Sequence, residues 1–176
     1  MTSAECHRLA LSGAVAGLCP ITEANLGDGL FPAAEYLEAG GAFGVGSDSN
    51  VRIDVAEELR ILEYGQRLQS RARNVLAREG GSTGRGLFDA ALSGGAQALA
   101  APKPELAAGA PADLVALSDP LKLDQGDALL DRWIFGRDIN VSDVWAAGAH
   151  VVQAGQHVRR KEVQARFADV LKRVLS

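Results

Sequence analysis

The order of apolar runs along this chain predicts an α/β fold with a β-rich second half. In the first half, short apolar strands alternate with amphipathic helices, the order that builds a parallel α/β sheet or barrel. Further on, a proline-rich stretch leads into short β-segments joined at glycines. A last amphipathic helix follows them.

Each element has its own signal. In "TSAECHRLALSGAVAGLCP", Ser3 is placed to cap a helix running to about Leu11, and Gly13 to close it in a left-handed turn. Residues 14–19 then form a short apolar run of the kind buried in a parallel sheet. "PITEANLGDGLFP" reads as a Gly/Asn/Asp loop, and its 13 residues without evident secondary structure favour a binding role. "AAEYLEAG" is a short helix closed by Gly40 and Gly41, and "AFGVGSD" is the second strand. Asp54 and Glu57 have the spacing of a capping box. Val55, Leu59 and Leu62 adjoin a second stripe of Ile61, Tyr64 and Leu68. "REGGSTGRG" reads as a loop, and "LFDAALSGGAQALA" as a helix interrupted or ended by Gly94 and Gly95.

Beyond this point "AAPKPELAAGAPADLVALSDP" holds four of the six prolines and a short strand over residues 113–117. "DVWAAGAHVVQAGQHV" predicts two strands joined at Ala147 and Gly148, with another turn at Gly155. The tail places Val163, Phe167, Val170, Leu171 and Val174 on one helical face. Two parallel strands cannot close a sheet. A (β/α)8 barrel takes roughly 250 residues, so the chain reads as the end of something larger.

Composition sets outer limits. With 47% apolar and 23% charged residues, wholesale disorder is excluded. A net charge of −4 argues against nucleic acid as the main partner. Arg60, Arg67, Arg71, Arg73, Arg78 and Arg85 cluster, and read as a solvated helix face and its following loop. No apolar stretch approaches the roughly 18 residues of a membrane span, and the N-terminus lacks a signal-peptide pattern. Cys6 and Cys19 lie in apolar segments without CxxC spacing, as reduced thiols of a cytoplasmic protein do.

Asp48 is the first candidate for chemistry. In parallel α/β sheets, sites lie beyond the carboxyl ends of strands, where Asp48 is expected. The alternative stays open that it satisfies backbone N–H groups in its own turn. "TEANLGDG" offers Thr22, Glu23, Asn25 and Asp28 on the same face, with Gly27 and Gly29 for turns; a plain surface loop is equally open. His7, His150 and His157 form no HxH, HxxxH or HExxH pair and read as structural or exposed. There is no P-loop and no GxSxG, and "GAFGVGSD" lacks the GxGxxG order.

Taken together, "SGAVAGLCPITEANLGDGLFPA", "GSDSN" and "EELRILEYGQRL" with "RARNVLA" resemble the C-terminal part of the formimidoylglutamate deiminases. That family belongs to the amidohydrolase superfamily and serves a bacterial histidine-degradation route. "AGAPADLVAL" and "DVWAAGAHVVQAGQHV" are similar to the superfamily's barrel exit and small β-sandwich. The resemblance implies barrel strand seven at residues 14–19 and strand eight at 42–47. Part of a β-sandwich and a C-terminal helix would follow, with divisions at 1–103, 104–160 and 161–176. It makes Asp48 the strand-eight aspartate that ligates a divalent metal, usually zinc, and handles the proton of the attacking water. Glu23, Asn25 and Gly27 become candidates for the substrate loop.

The reaction implied is hydrolysis of N-formimino-L-glutamate to N-formyl-L-glutamate and ammonia, by an enzyme homodimeric at full length and without nucleic-acid or membrane partners. The family's HxH, its two single histidines, its general-acid glutamate and its substrate-binding arginines have no counterpart here. The chain alone is therefore expected to retain no metal, to be inactive, and to associate through open apolar edges. The alternatives are another aminohydrolase of the superfamily, acting on a purine or triazine ring, and a non-catalytic truncated product.

Overall fold

The computed structural model describes residues 1–77, 81–123 and 126–176, so Arg78 lies outside the described residues. It divides into two compact units. One comprises Met1–Ala110 with Leu123–Asp138, the other Pro111–Lys122 with Ile139–Ser176.

In the first unit, helix α1 (Ser3–Leu11) is capped by Thr2, one residue ahead of the expected Ser3. The Thr2 hydroxyl accepts the Glu5 N–H, and the Glu5 carboxylate accepts the Thr2 N–H at 2.7 Å, a reciprocal cap that Ser3 has no acid to complete. Strand β1 (Val15–Leu18) follows Gly13, which has φ +74°. It pairs in parallel with β2 (Ala42–Val45), Val15 opposite Ala42 and Leu18 opposite Val45. The Gly46 N–H extends the ladder to the Leu18 carbonyl at 2.9 Å.

Between the strands the expected 13-residue loop is largely helical. Helix α2 (Pro20–Leu26) starts with proline at its first position and ends at Gly27 in a left-handed cap, φ +74°. Helix α3 (Ala33–Glu38) carries Tyr36, which is fully enclosed. The Tyr36 hydroxyl lies 3.0 Å from the Ala14 carbonyl and 3.1 Å from that of Ala42, so one side chain ties the starts of both strands.

Helix α4 (Val55–Ser70) is capped by Asp54, which accepts the Glu57 N–H. Glu57 does not complete a box; it pairs instead with Arg52 and Arg60. Helix α5 (Thr83–Ala98) is capped by Ser82 within the expected loop and runs straight through Gly94 and Gly95. The glycines do not break it, because its backbone packs on that of β2. A Cβ at Gly94 would overlap the Phe43 carbonyl oxygen and lie 2.6 Å from the Phe43 carbonyl carbon.

The core joins Cys6, Leu18, Tyr36, Phe43, Leu59, Leu62 and Leu87 to Ile134. Ile134 lies on α6 (Ala128–Phe135), for which the sequence reading gave no expectation. Asp131 of α6 accepts the Gly84 N–H of α5 at 2.7 Å.

The second unit holds a four-stranded antiparallel sheet ordered β3-β4-β5-β6. Its strands are β3 (Leu114–Ser118), β4 (Asn140–Ala146), β5 (Ala149–Gln153) and the short β6 (Gln156–His157). The turns fall where expected, with positive φ at Ala147 and Gly148 and again at Ala154 and Gly155. Helix α7 (Arg160–Leu175) has no buried residue, and its apolar face, Phe167 included, is exposed.

Candidate active site

Because β1 and β2 are parallel and in register, the segments leaving them rise from the same edge of the pair. Helix α2 leaves β1 there, and the turn carrying Asp48 leaves β2. Asp48 is exposed, three residues beyond β2, with φ +50°. That left-handed conformation is uncommon outside glycine and favours short polar residues such as Asp and Asn. The Ser47 carbonyl just before it accepts the Asn50 N–H at 3.1 Å, closing the turn. It also accepts the Thr22 hydroxyl at 3.0 Å.

Of the other candidates, Glu23 bends back so that its Oε1 accepts the Cys19 N–H at 2.8 Å. Asn25 is exposed on α2, and Gly27 closes that helix with its N–H on the Glu23 carbonyl. Thus Thr22 meets the Asp48 turn, Glu23 is turned back to the start of its own helix, and Asn25 and Gly27 sit at the far end of α2.

Glu58 went unread in the sequence, and Cys19 was read only as a reduced thiol and not as part of this corner. Glu58 is 2% exposed, and its Oε2 accepts the Ile21 N–H at 2.8 Å. Burial raises its carboxyl pKa against the opposing effect of that hydrogen bond, and the nearby acids Glu23, Glu57 and Asp54 push the same way as burial. The signal was available: position 58 falls beside Val55, Leu59 and Leu62 on the apolar face of α4. The thiol of Cys19 is likewise raised, first by burial, then by Asp48, Glu58 and Glu23. Cys19 is therefore a neutral thiol at neutral pH, among carboxylates.

The arginine cluster dissolves into separate contacts. Arg60 pairs with Glu57, and Arg85 with Asp127 and Asp89. Arg67 bonds the fully buried Glu63 at 2.6 Å and lies over the rings of Tyr64 and Phe135, 5.3 and 5.0 Å from their centroids. The histidines are dispersed: His7 is 3.7 Å from Glu35, and His150 bonds Asp143 at 2.8 Å while stacking on Trp145.

A protein zinc site takes three or four N, O or S ligands. Among the described residues no group of three or more His, Cys, Asp or Glu side chains could hold a metal ion. Asp48 offers one carboxylate, and these residues by themselves do not fit a metal.

Comparison with known proteins supplies the wider frame. Formimidoylglutamate deiminase of Pseudomonas aeruginosa is 54% identical over 177 residues, covering 98% of this chain and 39% of that protein. The crystal structure of an amidohydrolase from Brucella melitensis matches with a TM-score of 0.96 at 51% identity, covering 100% of this chain and 40% of that one. An adenosine deaminase from Xanthomonas campestris, with bound zinc, matches with a TM-score of 0.81 at 24% identity, over 99% of this chain and 40% of that one, and shows the fold alone. The chain thus spans about two fifths of the length of these relatives. Its mixed α/β structure is an amidohydrolase fold. Since the sequence pattern of the Amidohydrolase family matches residues 2–151, the chain belongs to that family.

Proposed function

We propose that this chain is the part of a formimidoylglutamate deiminase that carries the proton-handling aspartate, Asp48. The observation that carries the reading is the 54% identity to the Pseudomonas aeruginosa enzyme across almost the whole chain. The position of Asp48 beyond the carboxyl end of a parallel strand supports it. In this reading β1 and β2 are barrel strands seven and eight, within a division at residues 1–103. The sheet of the second unit belongs to a small β-sandwich, within 104–160, and 161–176 is the terminal helix.

The overall reaction adds water to the formimino carbon of N-formimino-L-glutamate and breaks the bond to its terminal nitrogen. N-formyl-L-glutamate and ammonia result. Asp48 takes a proton from the attacking water and returns it to the departing nitrogen, so it ends the cycle as a carboxylate. Glu23 and Asn25 on α2, with Gly27 at its end, are the candidates for the substrate side of the site. The family's divalent metal, zinc in the structural relative named above, would find in this chain the Asp48 carboxylate, and among the described residues no group of three or more His, Cys, Asp or Glu side chains to complete its shell. The whole enzyme is read as a cytoplasmic homodimer acting on a small molecule. Among the described residues, no helix is long and apolar enough to cross a membrane.

The test is ammonia release from N-formimino-L-glutamate, by the chain alone and by the chain co-expressed with the part of the Pseudomonas aeruginosa enzyme that it does not cover. Turnover is expected only from the pair, with Asp48→Asn lowering kcat by at least about 100-fold. A stable pair without turnover, or an Asp48→Asn pair at full rate, would overturn the reading.

A further inference from the structure

The carbonyl that leads into Asp48 has two hydrogen-bond donors. One is the Asn50 N–H, which belongs to the turn itself; the other, the Thr22 hydroxyl at 3.0 Å, comes from a different element. We propose that Thr22 is a positioning residue for Asp48, and that Glu58 holds Thr22 in place. The inference deepens the function proposed above and rests on it.

Asp48 sits at φ +50°, a sparsely populated conformation that persists where the surroundings over-determine it. Its own side chain supplies no such restraint, because it is exposed. The restraint is on the peptide before it. Thr22 is buried, and its hydroxyl grips the Ser47 oxygen from α2.

Helix α2 has seven residues, and its cap, Cys19, contributes no side-chain hydrogen bond. Its first-turn N–H groups therefore need partners from elsewhere. Glu58 reaches across from α4 to take the Ile21 N–H at 2.8 Å, next to Thr22. Glu23 takes the Cys19 N–H on the other side. A carboxyl group as buried as Glu58 is costly, and its Oε1 has no hydrogen-bond partner among the described residues. Its bond to the Ile21 N–H is the one that fixes the start of α2. The sixteen-residue α4 thereby anchors Ile21, Ile21 fixes the direction of Thr22, and Thr22 fixes the peptide that aims Asp48.

The hydroxyl is what the proposal requires, so the decisive substitution is Thr22→Val, which keeps the shape and removes the donor. Amide hydrogen exchange on the 176-residue chain reads the result without any activity. In Thr22→Val the Asn50 amide is expected to exchange roughly fivefold faster. The Gly46 amide, held in the strand ladder, should be unchanged. Thr22→Ser restores Asn50 protection, and Glu58→Leu accelerates both Ile21 and Asn50. Identical Asn50 exchange in Thr22→Val and the unsubstituted chain overturns the proposal. Should Thr22→Val fail to fold, Thr22→Ala is judged at the same amide by the same criterion.

In the co-expressed pair, Thr22→Val should lower kcat about fivefold with KM unchanged and Thr22→Ser should recover it. A fall in KM-linked binding alone counts against positioning of Asp48. A pair that never releases ammonia overturns the proposed function, while Asn50 exchange still decides the role of Thr22.

Discussion

Gly94 and Gly95 are neighbours in α5, yet the structure assigns them opposite responses to alanine. A Cβ at Gly94 would overlap the Phe43 carbonyl oxygen and stand 2.6 Å from its carbon and 2.9 Å from its nitrogen. Carbon atoms in contact prefer about 3.5–4.0 Å, so α5 would have to retreat from β2 by about 1 Å. Both obstacles are backbone, and no rotamer relieves them. The retreat loosens packing over Phe43 and Leu87, each 1% exposed, which places the cost at the upper end of overpacking, about 3 kcal/mol. Alanine returns about 1 kcal/mol of helix propensity, for a net loss of about 2 kcal/mol. At Gly95 a Cβ meets nothing within 4 Å, so the propensity gain stands alone. Urea unfolding followed by far-ultraviolet ellipticity should therefore show Gly94→Ala below the parent and Gly95→Ala above it. For a chain of this size the melting temperature of Gly94→Ala should fall by about 4–8 °C. Equal stabilisation by both would refute the backbone-to-backbone packing of α5 on β2.

Other expectations follow from single side chains. Tyr36→Phe removes the hydroxyl shared by the Ala14 and Ala42 carbonyls and should cost about 1–2 kcal/mol in the same unfolding assay; an unshifted midpoint contradicts it. Glu63 is fully buried and accepts the N–H groups of Val75 and Leu76 besides the Arg67 guanidinium. Glu63→Ala should cost about 3 kcal/mol and speed tryptic cleavage after Arg71 and Arg73, whereas unchanged cleavage would mean that this clasp is dispensable. Glu58 has its carboxyl pKa raised in the fold, so the folded state holds its proton more tightly than the unfolded chain. Its contribution to stability is full below the ordinary glutamate value and is lost as pH rises through the raised one. Unfolding measured from pH about 4 to about 8 should show that decline, and Glu58→Gln should flatten it.

Some of this architecture was plain in the sequence. Helix α4 announced itself through Asp54 and two apolar stripes, and the turns at Ala147–Gly148 and Gly155 through glycine placement. What was hidden depended on partners far along the chain. Gly94 looks like a helix breaker until β2 is seen lying against it. "PITEANLG" carried a first-position proline and a terminal glycine, the punctuation of a helix, but its density of loop residues outweighed them. Helix α6 is short, and Asp127 at its start makes no side-chain capping bond that would mark it. At the candidate site, the end of β2 was legible because strand polarity fixes which edge Asp48 leaves. The spacing of Glu58 on the apolar face of α4 was available too, but its role was not, since an acid there becomes intelligible only with the Ile21 N–H beside it.

The chain leaves its first unit at Ala110, builds β3 in the second, and returns at Leu123 to add α6 before leaving again. Ile134, wholly enclosed in the first core, is therefore absent while everything up to residue 110 has already been made. On a ribosome adding about 5–20 residues each second, the 28 positions from 110 to 138 take roughly 1–6 s. For that interval the nascent chain carries an unfinished core, with the place of Ile134 unfilled and the Gly84 N–H without its Asp131 acceptor. That return crossing leaves a window for misassembly during synthesis, so synonymous codons that slow translation between 110 and 138 should lower the yield of folded chain.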